Sequence, residues 1–276
     1  VWLMVKLKPL AVVGTGGHAS GPVLLMATLL GKKTFLWEPN AFPGLANRLL
    51  SPIVTHCFVI FEKTLQAVKA KSSSIVGYPL RKELDRKELI ARSHKPFRIF
   101  IFGGSQGARP INYVVRDAIL QHQDFFADIE VVHQTGRLDF QNISQSYQQL
   151  PTSIRERLVV QEFINNMEYY YAKANLAVCR CGMGTIAELS AMSLPALLVP
   201  LPSAADNHQQ KNAEEIESGG GGIMILQKDF TPQKLIDCIE KLKTNFKTID
   251  AMSEKIHKFH KPNAAKEIVR QIMNLC

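Results

Sequence analysis

Between Cys179 and Ala213 the sequence CRCGMGTIAELSAMSLPALLVPLPSAADNHQQKNA leaves few ways to fold. The apolar run Leu176–Val178 reads as a strand ending in a small-residue turn, and a helix begins near Gly184. A short buried strand follows at Ala196–Pro200, and a polar loop opens a second helix at His208. The turn Gly182-Met183-Gly184-Thr185 brings backbone N–H groups at a helix N-terminus close to any anion placed there, where free donors and the helix dipole favour phosphate. Glu188, three residues after Thr185, is expected on a neighbouring face of the first turn. A carboxylate there repels phosphate but suits the paired hydroxyls of a ribose. Phosphate donors beside a ribose acceptor describe a nucleoside-diphosphate site. An ordinary helix start with an acidic residue in its first turn accounts for the same residues without a ligand.

The alternation recurs along the chain. Leu10–Val13 is a short apolar strand running into GTGGHASGP at Gly14–Pro22, whose glycines permit tight turning and close backbone approach. Pro22 suits a first helical position, and Val23–Leu30 reads as an apolar helix with Leu24, Leu25 and Leu29 assigned to the core. Lys33–Trp37 is a strand that delivers Glu38-Pro39-Asn40 to the carboxyl end of a parallel sheet, where open α/β folds bind ligands. Asn40 offers an amide donor and acceptor to a sugar hydroxyl, and equally fits a plain turn. A helix at Leu45–Leu50 and a strand near Cys57–Phe61 follow. Arg81 precedes a charged, proline-bounded segment read as the interdomain linker, and suits either a nucleotide or solvent.

The second half restarts the pattern. Phe97–Phe102 is a buried strand, and GGSQGA at Gly103–Ala108 turns it into a helix from Arg109, with Ser105 completing a second anion cradle. Strands at Ile129–His133 and Leu158–Gln161 lead to Phe163-Ile164 on a loop and a tyrosine-rich helix at Asn166–Ala172, buried on one side. Thr231-Pro232 marks a capped helix start, and Asn263–Asn274 is amphipathic. The fold class expected is α/β: two doubly wound, Rossmann-like domains facing a cleft.

Composition narrows the partners. A net charge of +9 points to anionic ones, but the basic residues are diffuse and no aromatic–basic RNA motif occurs, which disfavours nucleic acid. Five scattered cysteines, with Cys179-x-Cys181 lacking a partner pair, support neither a disulfide framework nor a zinc site.

Taken together, GTGGHASGP, WEPN followed by GLANR, GYPLR, GGSQGAR, EFINNM, CRCGMGTIAEL and VPLPSAADNHQQKNA resemble the MurG-type glycosyltransferases, in order and over nearly the whole chain. That resemblance implies the GT-B fold and an inverting transfer of N-acetylglucosamine from UDP-GlcNAc to undecaprenyl-pyrophosphoryl-MurNAc-pentapeptide, in peptidoglycan synthesis at the cytoplasmic face of the bacterial inner membrane. It implies that Asn40, His208 and Gln209 contact the GlcNAc ring, and that Ser105 with Met183, Gly184 and Thr185 holds the diphosphate. The same resemblance implies that Ile164 packs by the uracil, Glu188 binds the ribose and Arg81 serves the nucleotide. Gly16, Gly17 and His18 match a loop that meets the acceptor's pyrophosphate. UDP-GlcNAc is the donor substrate, with no cofactor or metal expected, and an anionic membrane surface is an expected partner.

Two departures qualify the resemblance. The family begins with a further glycine-rich loop, which would lie before Val1, so the acceptor domain is expected to be incomplete. His18 stands where an aromatic is expected; together with Glu38 it is a candidate base, although a loop histidine more often only hydrogen-bonds. The expected organisation is an acceptor domain at 1–82, a linker at 83–96, a donor domain at 97–258 and a C-terminal helix at 259–276 returning to the first domain. The alternatives are a related transferase with another lipid acceptor, a sugar-nucleotide epimerase, and a donor-binding remnant without turnover.

Overall fold

A computed structural model describes residues 2–17 and 19–276. His18 therefore lies outside the described residues. The chain divides into two compact units, one formed by residues 1–81, 204–212 and 261–276, the other by 82–203 and 213–260.

In the first unit, a short helix α1 (Trp2–Leu7) precedes β1 (Ala11–Gly14), α2 (Ser20–Leu29), β2 (Lys33–Glu38), α3 (Leu45–Leu50), β3 (His56–Val59), α4 (Glu62–Ala67) and β4 (Ser73–Ile75). The four strands form a parallel sheet in the order β1-β2-β3-β4. Side chains alternate across such a sheet, so each strand feeds two cores. Leu36, Cys57 and Val59 meet Leu24 of α2 and Leu50 of α3, whereas Phe35, Phe58 and Val76 are covered by Ile268, Ile272 and Leu275. Those last three come from the C-terminal helix Ala264–Leu275, whose apolar stripe recurs at helical spacing. Glu38 shares the face of Leu36, two residues earlier, and so points to the side of α2 and α3.

Sequence reasoning placed Leu24, Leu25 and Leu29 together in the core, and the structure divides them. Leu24 is fully buried, while Leu25 and Leu29 are 42% and 70% exposed. The reason is rotational: α2 is apolar all round, and a helix lying on a sheet buries only one stripe. Pro22 falls at the third helical position rather than the first, because the helix starts at Ser20.

The second unit contains β5 (Phe97–Phe102), α5 (Arg109–Gln121), α6 (Gln123–Phe126), β6 (Ile129–Gln134), α7 (Phe140–Gln148), α8 (Thr152–Arg155), β7 (Leu158–Gln161), α9 (Met167–Lys173) and β8 (Leu176–Cys179). It continues with α10 (Met183–Ala191), β9 (Ala196–Leu198), α11 (His208–Ser218), β10 (Gly222–Met224), α12 (Pro232–Thr244) and α13 (Phe246–His257), the first residues of α11 counting with the first unit. Its six parallel strands run β10-β9-β8-β5-β6-β7. This is a doubly wound order, and the direction of winding reverses between β5 and β8.

The charged segment expected to link the domains is integral to the second unit. The Arg92 guanidinium donates to the carbonyls of Tyr171, Met192 and Ser193, and Asn175 Nδ2 donates to the Ser93 carbonyl at 2.9 Å. Burial lowers the Arg92 pKa to about 10, which leaves it cationic at neutral pH and suited to cap carbonyls. Alternating charge and bounding prolines suggested an interdomain linker. The arginine instead supplies donors to loop and helix-end carbonyls.

Candidate functional site

The reversal between β5 and β8 brings two glycine-rich turns together. Phe102 lies in register with Cys179, so Gly103–Ala108 and Cys181–Gly184 leave the sheet side by side at its carboxyl edge. Gly182 caps α10 without any side-chain bond, and the first intrahelical bond is Ile186 N–H to the Gly182 carbonyl at 3.0 Å. The amides of Met183, Gly184 and Thr185 precede that bond and have no acceptor within the helix. Ser105 is exposed on the neighbouring turn. Three backbone amides, a nearby hydroxyl and the positive end of a helix are the kinds of donor that suit an anion.

The turn after β5 is held rigidly from behind. Gly107 has φ +76°, and a Cβ there would lie 2.7 Å from the Thr135 carbonyl carbon and closer still to its oxygen. That carbonyl is fixed, since it accepts from Asn112 Nδ2 at 2.7 Å, and the same amide donates to Asp139 Oδ2 at 2.9 Å. Arg109 Nε closes the network on Asp139 Oδ1 at 2.9 Å. With both amide hydrogens committed, Asn112 Oδ1 can only accept, so His133 Nε2, 3.1 Å away, carries the proton. His133 Nδ1 then accepts from the Tyr147 hydroxyl at 3.2 Å.

Burial pushes the His133 pKa down to about 3, with the Asp139 carboxylate opposing. The folded value is below the unfolded one of about 6.5, so between these pH values the unfolded chain binds a proton that the fold refuses. The contribution is full above pH ~6.5 and is lost at ~1.4 kcal/mol per pH unit as pH falls toward 3. In a histidine-labelled NMR titration, the His133 resonance is expected to stay in its neutral form down to pH 4. A midpoint above 5 would contradict the assignment.

Gln134, which sequence reasoning did not single out, joins two parts of this site. Its Nε2 donates to the Gly104 carbonyl at 3.0 Å and its Oε1 accepts from the Ile164 N–H at 2.9 Å. Ile164 is consequently fixed and buried, tied through Gln134 to the turn that carries Gly104. Glu188 is the sixth residue of α10 and so lies in its second turn, not the first. It is half-buried, and the buried Tyr171 hydroxyl donates to its Oε2 at 2.8 Å. Cys179 and Cys181 are buried and their pKa values are raised by burial, which keeps both thiols protonated at neutral pH.

A second cluster belongs to the first unit and centres on Glu38, 2% exposed. Its Oε1 accepts from the Asn40 N–H at 3.0 Å and Asn40 Nδ2 at 3.1 Å; its Oε2 accepts from the Gly44 N–H at 3.0 Å and Asn47 Nδ2 at 2.8 Å. Four donors commit the lone pairs of this carboxylate, so its geometry is that of a positioning residue for the loop from Asn40 to Asn47, and it offers no free lone pair to a substrate proton. Asn212, fully buried, finishes the arrangement: its Oδ1 accepts from the Ala41 N–H at 2.9 Å and its Nδ2 donates to Asn40 Oδ1 at 3.1 Å. Asn40 is thereby fixed in orientation, with one amide hydrogen and one lone pair left to bind. His208 donates from Nδ1 to the Ala205 carbonyl at 2.7 Å, leaving Nε2 as an acceptor in the neutral ring, and Gln209 follows in the first turn of α11. Gly16, Gly17, Glu38 and Asn40 line one cavity of about 740 Å³ together with Asp206. Arg81 is exposed at the end of the unit's first segment.

Residues 98–268 match the glycosyltransferase family 28 C-terminal domain, and residues 2–59 match its N-terminal domain. The chain belongs to glycosyltransferase family 28. Among curated relatives, the UDP-N-acetylglucosamine–N-acetylmuramyl-(pentapeptide) pyrophosphoryl-undecaprenol N-acetylglucosamine transferase of Bdellovibrio bacteriovorus is 42% identical over 271 residues, covering 98% of this chain and 74% of the relative. The enzyme of the same name from Myxococcus xanthus is 35% identical over 99% of this chain and 70% of its own length. The crystal structure of Acinetobacter baumannii MurG superposes with a TM-score of 0.83 at 29% identity, covering 99% of this chain and 76% of that one. As a family 28 protein of the GT-B fold class, the chain thus spans about three quarters of each of these relatives.

The family 28 chain also contains supporting residues that no motif indicated. Asn112, Gln134 and Tyr171 lie 17 to 30 positions from their partners in sequence, and no local spacing relates them. Asn212 is inside a recognisable motif, VPLPSAADNHQQKNA, but its role depends on the contact with Asn40.

Proposed function

We propose that this chain is a hexosyltransferase that moves N-acetylglucosamine from UDP-GlcNAc to a lipid-linked muramyl-pentapeptide, the step that completes the disaccharide unit of peptidoglycan. The observation that carries the reading is the 42% identity over 98% of the chain to a transferase of that name, spread across both family 28 domains. The geometry supports a division of roles. The amides of Met183, Gly184 and Thr185 and the Ser105 hydroxyl hold the diphosphate, Glu188 accepts from the ribose hydroxyls, and Ile164 packs against the uracil. Asn40, His208 and Gln209 bind the sugar ring, while Gly16 and Gly17 serve the acceptor.

In the transfer, a sugar hydroxyl of the acceptor attacks the anomeric carbon from the side opposite UDP. The new C–O bond forms as the bond to the β-phosphate oxygen breaks, and UDP departs with the electron pair. Backbone donors already aimed at the diphosphate stabilise the growing charge without reorganising, a preorganisation whose single donors are worth about 3–4 kcal/mol in other enzymes. The hydroxyl proton passes to a base within hydrogen-bond reach. Glu38, with four donors already bound, is assigned to orienting Asn40. The cytoplasmic membrane face is the proposed place of work; a charge of +9 favours an anionic surface, and no described helix is long and apolar enough to span a bilayer.

Calorimetric titration with UDP-GlcNAc and UDP-GalNAc, followed by UDP release on adding the lipid acceptor, tests this. Selective UDP-GlcNAc binding is expected, weakened tenfold or more by Glu188→Ala and Gln209→Ala, and turnover should require the acceptor. Binding without turnover would reduce the chain to a donor-binding protein. UDP released without any acceptor would favour an epimerase, and turnover with a diacylglycerol alone a different transferase.

A further inference from the structure

The cavity next to Asn40 has two chemically distinct ends, and every residue lining it belongs to the first unit. One end is polar. Gly16 and Gly17 turn there in left-handed conformations, with φ of +88° and +79°, ahead of α2, and Gly21 and Pro22 of the first turn of α2 line the wall. Ala19 at its N-cap offers no side-chain acceptor, so among the described residues the leading amides and dipole are uncapped and favour an anion. Asn47 lines the same end at 3% exposure; its Nδ2 is held by Glu38, and its Oδ1 is buried without a hydrogen-bond partner among the described residues, beside Gly16. A buried orphan acceptor costs about 1–3 kcal/mol and calls for a donor. A simple anion does not provide one, whereas a sugar hydroxyl or acetamido N–H does.

The other end is aliphatic. Leu25 and Leu29 of α2, and Leu45 and Leu49 of α3, are spaced i,i+4 and form two ridges on helices that pack side by side. Leu25, Leu45, Leu49 and Ile53 line the cavity, yet all four stay between 42% and 68% exposed. Large aliphatic side chains left exposed in a contiguous groove mark a surface that something apolar covers. The occupant must be anionic, carry a hydrogen-bond donor and continue into a hydrocarbon chain within one molecule.

We propose that the groove between α2 and α3 is a specific binding site for the isoprenoid chain of a sugar-phosphate lipid, so that the protein holds the first prenyl units of its acceptor rather than leaving the whole chain in the bilayer. This rests on the acceptor class given above and adds to it a part of the acceptor that the enzyme itself grips. At a volume of about 740 Å³ the cavity falls within the usual range for small-molecule sites, enough for a diphosphate and a short run of prenyl units.

The test is detergent-free calorimetry on the chain, with farnesyl diphosphate and inorganic pyrophosphate as probes. Farnesyl diphosphate is expected to bind at least tenfold more tightly than pyrophosphate. A Leu25→Asn/Leu49→Asn double variant, whose substituted side chains are exposed and not needed for folding, should bring the two affinities together while leaving UDP-GlcNAc binding unchanged. Equal affinities in the unsubstituted protein, or an unchanged preference in the variant, would overturn the proposal. A variant that stops sedimenting with anionic phospholipid vesicles but keeps the farnesyl preference would make the leucines a membrane-docking surface and also overturn it. Absence of transfer in the unsubstituted protein, with its farnesyl preference present and abolished in the double variant, would instead count against the transferase reading and leave the groove standing.

Discussion

Glu38→Gln is expected to destabilise the first unit by ~2–4 kcal/mol and to raise the KM for UDP-GlcNAc about tenfold. Whichever way the new amide is oriented, its NH₂ group faces two donors, either the Asn40 N–H and Nδ2 or the Gly44 N–H and Asn47 Nδ2. The Asn40–Asn47 loop then loses two charge-assisted bonds and gains a donor–donor clash in a site 2% exposed. Both tryptophans of the chain, Trp2 and Trp37, belong to the first unit, so tryptophan fluorescence during urea unfolding reports that unit selectively. The pH–rate profile separates positioning from proton transfer. A positioning residue leaves the acidic limb in place and kcat within about tenfold in folded variant. A base lost at this position would instead cost 10²–10⁴ in kcat and remove that limb.

Gly107→Ala is expected to cost the second unit ~2–4 kcal/mol and to weaken UDP binding more than tenfold. Two effects add. The φ of +76° is unfavourable for any residue with a Cβ, by about 1–2 kcal/mol, and the new methyl meets the Thr135 carbonyl. That carbonyl cannot retreat, because Asn112 Nδ2 holds it at 2.7 Å within a network reaching Asp139 and His133. The loop carrying Ser105 must move instead, which shifts Ser105 relative to the amides of α10. Gly104→Ala serves as the control: its φ is +87°, yet a Cβ there meets nothing within 4 Å, so only the backbone cost of about 1–2 kcal/mol applies. Scanning calorimetry with a parallel UDP titration compares the two. Equal effects would show that backbone strain alone, without the clash, sets the loop.

The local grammar of this chain was readable because each signal acts over a few residues. Apolar runs of strand length, glycine turns and the Thr231-Pro232 helix start specify their own conformations, and strands such as Phe97–Phe102 and Leu158–Gln161 have the bounds their sequence suggests. Helix start positions were less legible: α10 begins at Met183 rather than near Gly184, and α2 begins at Ser20, two residues before Pro22. Burial was less legible again, since an all-apolar helix such as α2 does not reveal which stripe meets the sheet, and Leu25 and Leu29 went to the outside.

By itself the sequence determined the α/β alternation, the two glycine-rich turns and, through its motifs, the family. These follow from steric and hydrophobic preferences acting over one or two turns of chain. Only the tertiary structure decided that those turns meet, because the reversal of winding between β5 and β8 joins segments some seventy residues apart. It alone decided that Glu38 is saturated by donors from its own loop and α3, and that Asn212 holds Asn40 across 172 positions of sequence. Hydrogen bonds between distant residues require the backbone to be in place first, and no local preference encodes them.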